Sequence, residues 1–287
     1  MPKNLTGKII FVHDISEHAK RYANVQAAFK SQKWKLHFLP LLGHGAQMVQ
    51  TNKKHPKICH WGKTGWKENR DNLLEEIITQ ATETPISPIA IMGQGIGATL
   101  ILDLLTQKNH RLPPNLVSII LLNSTALANQ QNKSLLNITK LLSFMQSKEA
   151  SSRILDRLLV SNWNRDIKTG NWRSQDPEEI KRFEEDPLCG NSCSLRVWSD
   201  IALTHEAISS RWDQLPKNIL YLLLGGSDNP ILEGGQVIFD LSAELSKNAE
   251  AFYKLYPGLR HDILFDSAVQ QDIVEWLEAR LTKEAHE

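Results

Sequence analysis

Cysteine is scarce in this chain. Only Cys59, Cys189 and Cys193 occur among 287 residues. An odd, sparse set of this kind makes no disulfide framework and fits a reducing compartment. Cys189 and Cys193 stand four residues apart, but no second pair answers them, so the spacing of a zinc site is missing. No metal or other cofactor is expected. A surplus of either charge is missing as well: 33 Lys and Arg face 32 Asp and Glu, for a formal net charge of +1. That balance gives no reason to expect nucleic acid or an anionic membrane as a partner. No apolar run is long enough to span a bilayer, and the polar stretch from Met1 to Gly7 has no signal-peptide character. A cytoplasmic protein without a transmembrane segment is therefore expected. Internal repeats and low-complexity tracts are also lacking.

What is present is ordinary globular material, with 41% hydrophobic and 23% charged residues. It is enough for a sizeable core in one large α/β domain. Short apolar runs read as buried strands over Lys8–His13, Leu36–Leu39, Ile89–Met92, Val117–Leu122, Ile219–Leu224 and Phe252–Leu255. Segments with helical spacing alternate with them: Arg21–Ser31, Asn69–Gln80, Ala98–Gln107, Gln236–Leu245 and Ser267–Leu281. Such alternation predicts a mainly parallel sheet with helices on both faces, and ligands then bind at the carboxyl ends of the strands. The alternation fails between Ser124 and Asp213, where no strand is evident and a crossover would be too long. That stretch reads as an inserted helical cap at about 124–213, between core segments 8–123 and 214–282 of a single domain. Its apolar stripe Leu135, Ile138, Leu142 and Met145 is expected to face the core. Its tryptophans, Trp163, Trp172, Trp198 and Trp212, are expected to pack the cap, with one or two lining an apolar pocket.

Gly93-Gln94-Gly95-Ile96-Gly97 follows the third strand and opens a helix. This is the setting of a nucleophile elbow, G-x-S-x-G, with Gly95 where the serine would stand. Asp228 follows the fifth strand and His261 the sixth, giving the chain order nucleophile position, acid, base of the α/β-hydrolases. In such a triad His261 takes the proton of a hydroxyl and Asp228 fixes its tautomer. Gly95 supplies no hydroxyl. A serine at an elbow is held in a strained backbone conformation worth about 1–3 kcal/mol, which glycine enters freely.

Four segments carry a closer resemblance. Val12 to Tyr22 resembles an HG-x-x-EH-x-x-RY signature, Gly43-His44-Gly45 a GHG turn, Asp186 to Gly190 a DPLCG segment, and Tyr256 to Leu264 a YPGxRHE-x-L histidine loop. Together they resemble the monoacylglycerol lipase and lysophospholipase group of α/β-hydrolases, the serine aminopeptidase S33-like proteins, from about Lys8 to Leu281. The resemblance implies carboxylic ester hydrolysis by acyl transfer, an acyl or other small apolar ligand, and an oxyanion hole made by the backbone N–H groups of Ile15 and Ile96.

The departures are concentrated at the chemistry. The serine is Gly95 and the residue before it is Gln94 in place of histidine. Asp14 replaces the glycine after His13, which sets a carboxylate where negative charge should develop. Pro40 and Leu41–Leu42 stand where an acidic residue precedes the GHG turn. The chain also opens at the first buried strand, without the N-terminal hairpin the resemblance implies. Thr99 and Ser124 carry hydroxyls in the same region, but neither is at the strained turn. Water activated by His261 is another route to hydrolysis. The plainer reading of His261 and Asp228 is a hydrogen-bonded, inert remnant. His13, His18 and Arg21 read as loop-fixing residues, and Cys189 as a small buried hydrophobe. His13, Asp14, Gln94 and Ser124 are the expected pocket residues. Three functions stay open: an impaired or silent ester hydrolase that binds an apolar ligand, an active hydrolase using another hydroxyl or water, and a scaffold for a protein partner. Peripheral membrane contact through the cap is a further expectation.

Overall fold

The computed structural model describes residues 7–46, 58–108, 111–127, 130–165 and 167–283. The polar lead-in over 1–6 lies outside the described residues, as do 128, 129 and 166 of the expected cap.

Six strands are present: β1 Gly7–Val12, β2 Trp34–Leu39, β3 Ile89–Gln94, β4 Leu116–Leu122, β5 Leu220–Gly226 and β6 Glu250–Tyr256. They form one sheet in the order β2-β1-β3-β4-β5-β6 with every neighbouring pair parallel. β1 and β3 are buried along their whole length, which is why the sequence there is a continuous apolar run and not an alternation. The period-two geometry still sorts their side chains. Ile9 and Phe11 enter one core and Ile10 and Val12 the other. The first core is closed by α1 Ala23–Ser31 and α9 Ser267–Lys283, through Val25, Phe29, Ile273 and Leu277. The second is closed by α2 Gly65–Glu83, α3 Ile96–Leu105 and α8 Gln236–Leu245, through Leu73, Ile101 and Leu241. β6 is the exposed edge and carries Lys254, a residue type that discourages further strand pairing.

The chain runs from β1 outward to β2, then returns across β1 to start β3. The order therefore reverses between β1 and β3, and a crevice opens there at the strand ends. The loops leaving these two strands carry Asp14 and Gly95.

Between β4 and β5 lie four further helices among the described residues: α4 Gln130–Met145, α5 Arg153–Trp163, α6 Pro177–Glu185 and α7 Leu195–Ser209. Their starts are written in the sequence. Asp176 caps α6 by accepting from the Glu178 N–H, with Pro177 at the first position, and Ser194 caps α7 by accepting from the Val197 N–H. The expected core-facing stripe of α4 is corrected. Leu136 and Thr139 are the buried positions, whereas Ile138 and Met145 face solvent with Leu141 and Phe144. The helix has more apolar residues than one buried face needs, so periodicity alone selected the wrong stripe.

Candidate active site

The turn between β3 and α3 keeps the elbow geometry. Gly95 has φ 53° and ψ −111°, a region that L side chains enter only under strain. Its N–H donates to the Leu122 carbonyl at 2.9 Å. The outer glycines serve close approach. A Cβ on Gly93 would lie 2.6 Å from the Ala98 nitrogen, and one on Gly97 would lie 2.8 Å from the Val12 carbonyl carbon and 2.9 Å from the His13 oxygen.

The loop after β1 brings Asp14 directly over this turn. Its Oδ1 accepts the Ile96 N–H at 2.8 Å, and its Oδ2 lies 2.7 Å from His261 Nε2. A Cβ added at Gly95 would overlap Oδ1 and Cγ of Asp14 and lie 2.7 Å from Oδ2. The carboxylate thus fills the volume of the missing serine side chain and occupies an N–H expected to form the oxyanion hole. Asp14 is 4% exposed. Burial alone would raise its pKa. The hydrogen bond from His261, the Arg173 guanidinium and the Ile96 N–H together hold it below the ordinary carboxylate value. The second expected oxyanion donor, Ile15, belongs to the same loop and lines the cavity described below.

Behind His261 the arrangement departs from expectation. Asp228 does not meet the ring. It is exposed, accepts from the Ser227 hydroxyl at 2.8 Å and lies 3.5 Å from Gln175 Nε2. The next residue turns inward instead. Asn229 is 1% exposed, and its Nδ2 is 3.4 Å from His261 Nδ1. Asn229 Oδ1 accepts the Ile231 N–H at 3.1 Å, while Nδ2 donates to Asn123 Oδ1 at 3.2 Å. The network therefore assigns an amide donor to Nδ1 and the imidazole proton to Nε2, facing Asp14. A working triad needs the reverse: an acceptor at Nδ1 and a free lone pair at Nε2. The His261 carbonyl is fixed by Asn123 Nδ2 at 2.5 Å and Gln94 Nε2 at 3.3 Å. Asn123 sits at φ 48°, a conformation asparagine tolerates better than most residues.

The remaining predicted residues divide clearly. His13 fixes its loop, with Nδ1 2.7 Å from the Asp14 carbonyl oxygen and Nε2 accepting from the Leu41 N–H at 3.4 Å. Ser124 is buried with no partner for its hydroxyl among the described residues, and it does not line the cavity. Thr99 lines it, but bonds to His205 Nε2 at 3.2 Å and not to His261. Glu17 and Arg21, from the first signature, join Arg173 and Asp262 in a buried charge cluster. Arg173 bridges both acids at 2.9 Å and Arg21 reaches Asp262 at 2.6 Å. Glu17 also accepts the Asp14 N–H at 2.9 Å and the Tyr22 hydroxyl at 2.5 Å. The signature is thus a clamp that fixes the loop carrying Asp14. Among the described residues, His18, Asp186 and Cys189 bring three ligand-type atoms within 4.8 Å of one another. His18 Nε2 lies 2.8 Å from Asp186 Oδ2. Burial, with the charges of Glu17 and Asp186, pushes the Cys189 thiol up to about 12.

Above Asp14, Gly95 and His261 opens a cavity of about 410 Å³ whose surface is mostly apolar, from side chains including Leu159, Trp163, Trp172 and Trp198, with Asp156, Arg173 and Glu184 also lining it. The Trp172 ring lies 4.9 Å from the His261 ring and 4.7 Å from Trp163. Trp212 is buried in the core instead. Sequence reasoning missed Asn229, Asn123 and Arg173. Only Asn229, adjacent to the assigned acid, left a local signal.

A family model described as serine aminopeptidase, S33, matches residues 3–268. No curated protein matches the chain. Among solved structures, a highly thermostable carboxyl esterase from Bacillus coagulans is 18% identical, covers 97% of this chain and 91% of its own, and has a TM-score of 0.82. A monoacylglycerol lipase from Paleococcus ferrophilus is 18% identical over 96% of this chain and 95% of its own, with a TM-score of 0.66. A monoglyceride lipase from Saccharomyces cerevisiae is 16% identical over 97% and 88%, with a TM-score of 0.73. At these identities the likeness speaks for the fold.

Proposed function

The chain belongs to the serine aminopeptidase S33 family, and from that membership we propose that it keeps an α/β-hydrolase pocket for ligand binding while ester hydrolysis is silent. One observation carries this reading: the Asp14 carboxylate bridges the Ile96 N–H and His261 Nε2 in the volume vacated at Gly95. Hydrolysis through a serine-type intermediate needs a nucleophile, a base and a site for developing negative charge. Gly95 removes the first. The assigned tautomer of His261 compromises the second, and also weighs against a water activated by that ring. A fixed carboxylate opposes the third, where a single oxyanion donor is worth about 3 kcal/mol in other hydrolases.

The same carboxylate indicates the ligand class. The cavity is within the ordinary size range of small-molecule sites, roughly 300–1,000 Å³. Its wall suits an alkyl or acyl chain. Its floor disfavours a carboxylate and favours a polar end that donates hydrogen bonds or carries positive charge. A long-chain amine or the free hydroxyls of a monoacylglycerol fit this pattern better than a fatty acid of equal length. Tryptophan fluorescence reports binding, because Trp163, Trp172 and Trp198 line the cavity. The expected order is amine and monoacylglycerol ahead of fatty acid; a fatty acid binding most tightly would refute the assignment of the floor.

The chemistry is tested by turnover of a short-chain chromogenic ester and a monoacylglycerol. Wild type is expected to be silent. Gly95→Ser alone is also expected to be silent, since the new side chain collides with Asp14. The triple variant Gly95→Ser/Asp14→Gly/Asn229→Asp is expected to exceed wild type by at least about 10²-fold, the scale of one oxyanion donor. Wild-type turnover abolished by His261→Ala would overturn the silent reading.

A second role is supported by the surface. Leu141, Phe144 and Met145 on α4 and Ile154 and Leu158 on α5 are exposed by 58–87%. Lys140, Lys148, Arg153 and Arg157 are exposed on the same segments. An apolar ridge with basic neighbours suits the interface of an anionic lipid surface, with these helices as a cap lying on it.

A further inference from the structure

Three thiols serve this chain, and the fold treats them unequally. Cys59 and Cys193 are 134 positions apart in sequence, yet both belong to the same buried core cluster. The Ser194 N–H donates to the Cys59 carbonyl at 3.3 Å, so the two backbones are also adjacent. Cys59 Sγ lies 3.6 Å from His44 Nε2. His44 Nδ1 is 3.0 Å from the Leu42 carbonyl oxygen, which can only accept. The neutral ring therefore carries its proton on Nδ1 and presents Nε2 as a base toward Cys59, where it also meets the Ser16 N–H at 3.2 Å. Cys59 is held at φ 60°, a strained value for a non-glycine residue. Both thiols are buried; Cys193 and Ser16 line the cavity, whereas Cys59 is set behind its wall, so a peroxide must pass Cys193 to reach it.

From this geometry we propose that Cys59 and Cys193 are a hydroperoxide-reactive pair that closes to a disulfide between the core loop before α2 and the segment leading into α7. In the first step Cys59 gives its proton to His44 Nε2 and the thiolate sulfur attacks one peroxide oxygen. The O–O bond breaks, the leaving oxygen takes the proton from His44, and an alcohol or water departs from a Cys59 sulfenic acid. In the second step the Cys193 sulfur attacks the Cys59 sulfur. The S–O bond breaks, and the leaving hydroxide takes the Cys193 proton to depart as water. Two electrons pass from the two thiols to the peroxide, which is the only oxidant required.

The electrostatics agree with this division of labour. The neighbouring Cys193 thiol is the largest influence on Cys59. Burial opposes it, and the neighbouring His44 adds to it, so that the Cys59 thiol lies well below its ordinary value. Burial and the neighbouring Cys59 push Cys193 well above its own, which suits the resolving partner. Cys189, raised by burial and by the charges of Glu17 and Asp186, serves as the internal control.

The test treats the intact protein with hydrogen peroxide and follows each thiol by alkylation and peptide mass spectrometry. The expected result is loss of Cys59 and Cys193 together, a Cys59–Cys193 linked peptide reversed by dithiothreitol, and reaction of Cys189 at least tenfold more slowly. In Cys193→Ser, dimedone is expected to trap a sulfenic acid at Cys59. Equal oxidation rates for all three thiols, a disulfide that includes Cys189, or crosslinks only between molecules would overturn the proposal. So would a Cys59 that survives peroxide concentrations consuming free glutathione. The wild-type measurement decides by itself if the variant does not fold.

Discussion

A side chain at position 95 and the carboxylate of Asp14 compete for one volume, so the two residues form a single exchange and not two independent losses. Both departures were readable in the sequence, because Gly95 and Asp14 each break a recognisable motif. Their contact was not, since 81 positions separate them and only the β1–β3 pairing, with Val12 opposite Gly93, brings their loops together. The acid was harder. Asp228 has the right residue type, but the turn after β5 aims Asn229 inward, and no composition rule distinguishes adjacent residues in a tight turn. Buried titratable groups give a residue-scale prediction for stability against pH. Burial, joined for His13 by the charge of His44, pushes His13 and His205 down to about 4, from 6.5. Between these values the unfolded chain binds protons that the folded one does not. The stabilising contribution is therefore complete above pH 6.5 and is lost as pH falls to about 4, at roughly 1.4 kcal/mol per pH unit for each histidine. Asp262 lies lower. Burial opposes its ionisation, but Arg173 and Arg21 bring it from 3.8 to about 2. Its contribution of about 2 kcal/mol is present above pH 4 and is lost toward pH 2. Urea denaturation across this range is expected to show both declines, and His205→Gln to reduce the first by about half. A profile unchanged by His205→Gln would contradict the assignment.

The strand–turn–helix unit of β3 and α3 depends on close backbone approach more than on any contact of Gly95. A Cβ at Gly97 presses on the backbone of Val12 and His13, in the very loop that carries Asp14. Gly97→Val is expected to cost about 3 kcal/mol by overpacking and to lower Tm by about 5 °C or more, measured by differential scanning calorimetry. A neutral result would mean that α3 can move away from β1. At this scale the sequence was a good guide: the strands are apolar runs bounded by breakers, and the helix caps are ordinary Asp and Ser side chains. α4 is the instructive failure. Its apolar residues occupy more than one face, and only the packing of α4 against α7 decides which of them is buried. Hydrophobic spacing specifies a buried face only when the other faces are polar.

For the molecule as a whole, the parallel sheet and its alternating helices were legible because both follow from element order and length. The cavity was not, since its walls come from the first and third strand loops and from several inserted helices. The exposed ridge on α4 and α5 belongs to this scale too. Binding to anionic vesicles is expected by co-sedimentation, and Phe144→Asp is expected to weaken it about tenfold, as burial of a large apolar side chain is worth about 1.5–3 kcal/mol. Equal sedimentation of both proteins would remove the ridge from consideration as a lipid contact.

The position of Asp14 has one more consequence. An esterase ends each cycle with a carboxylic acid product beside its histidine and its backbone donors, and must release it to start again. Here the carboxylate is part of the chain, with one oxygen on Ile96 and the other on His261. On the proposed reading the site is, in inhibitor terms, occupied by a tethered product analogue that a free acid would have to displace. Phosphonate and boronate reagents, which capture an activated serine beneath empty donors, should pass it by. On that reading, a survey of active hydrolases by covalent labelling leaves this protein uncounted, although a survey by fold includes it.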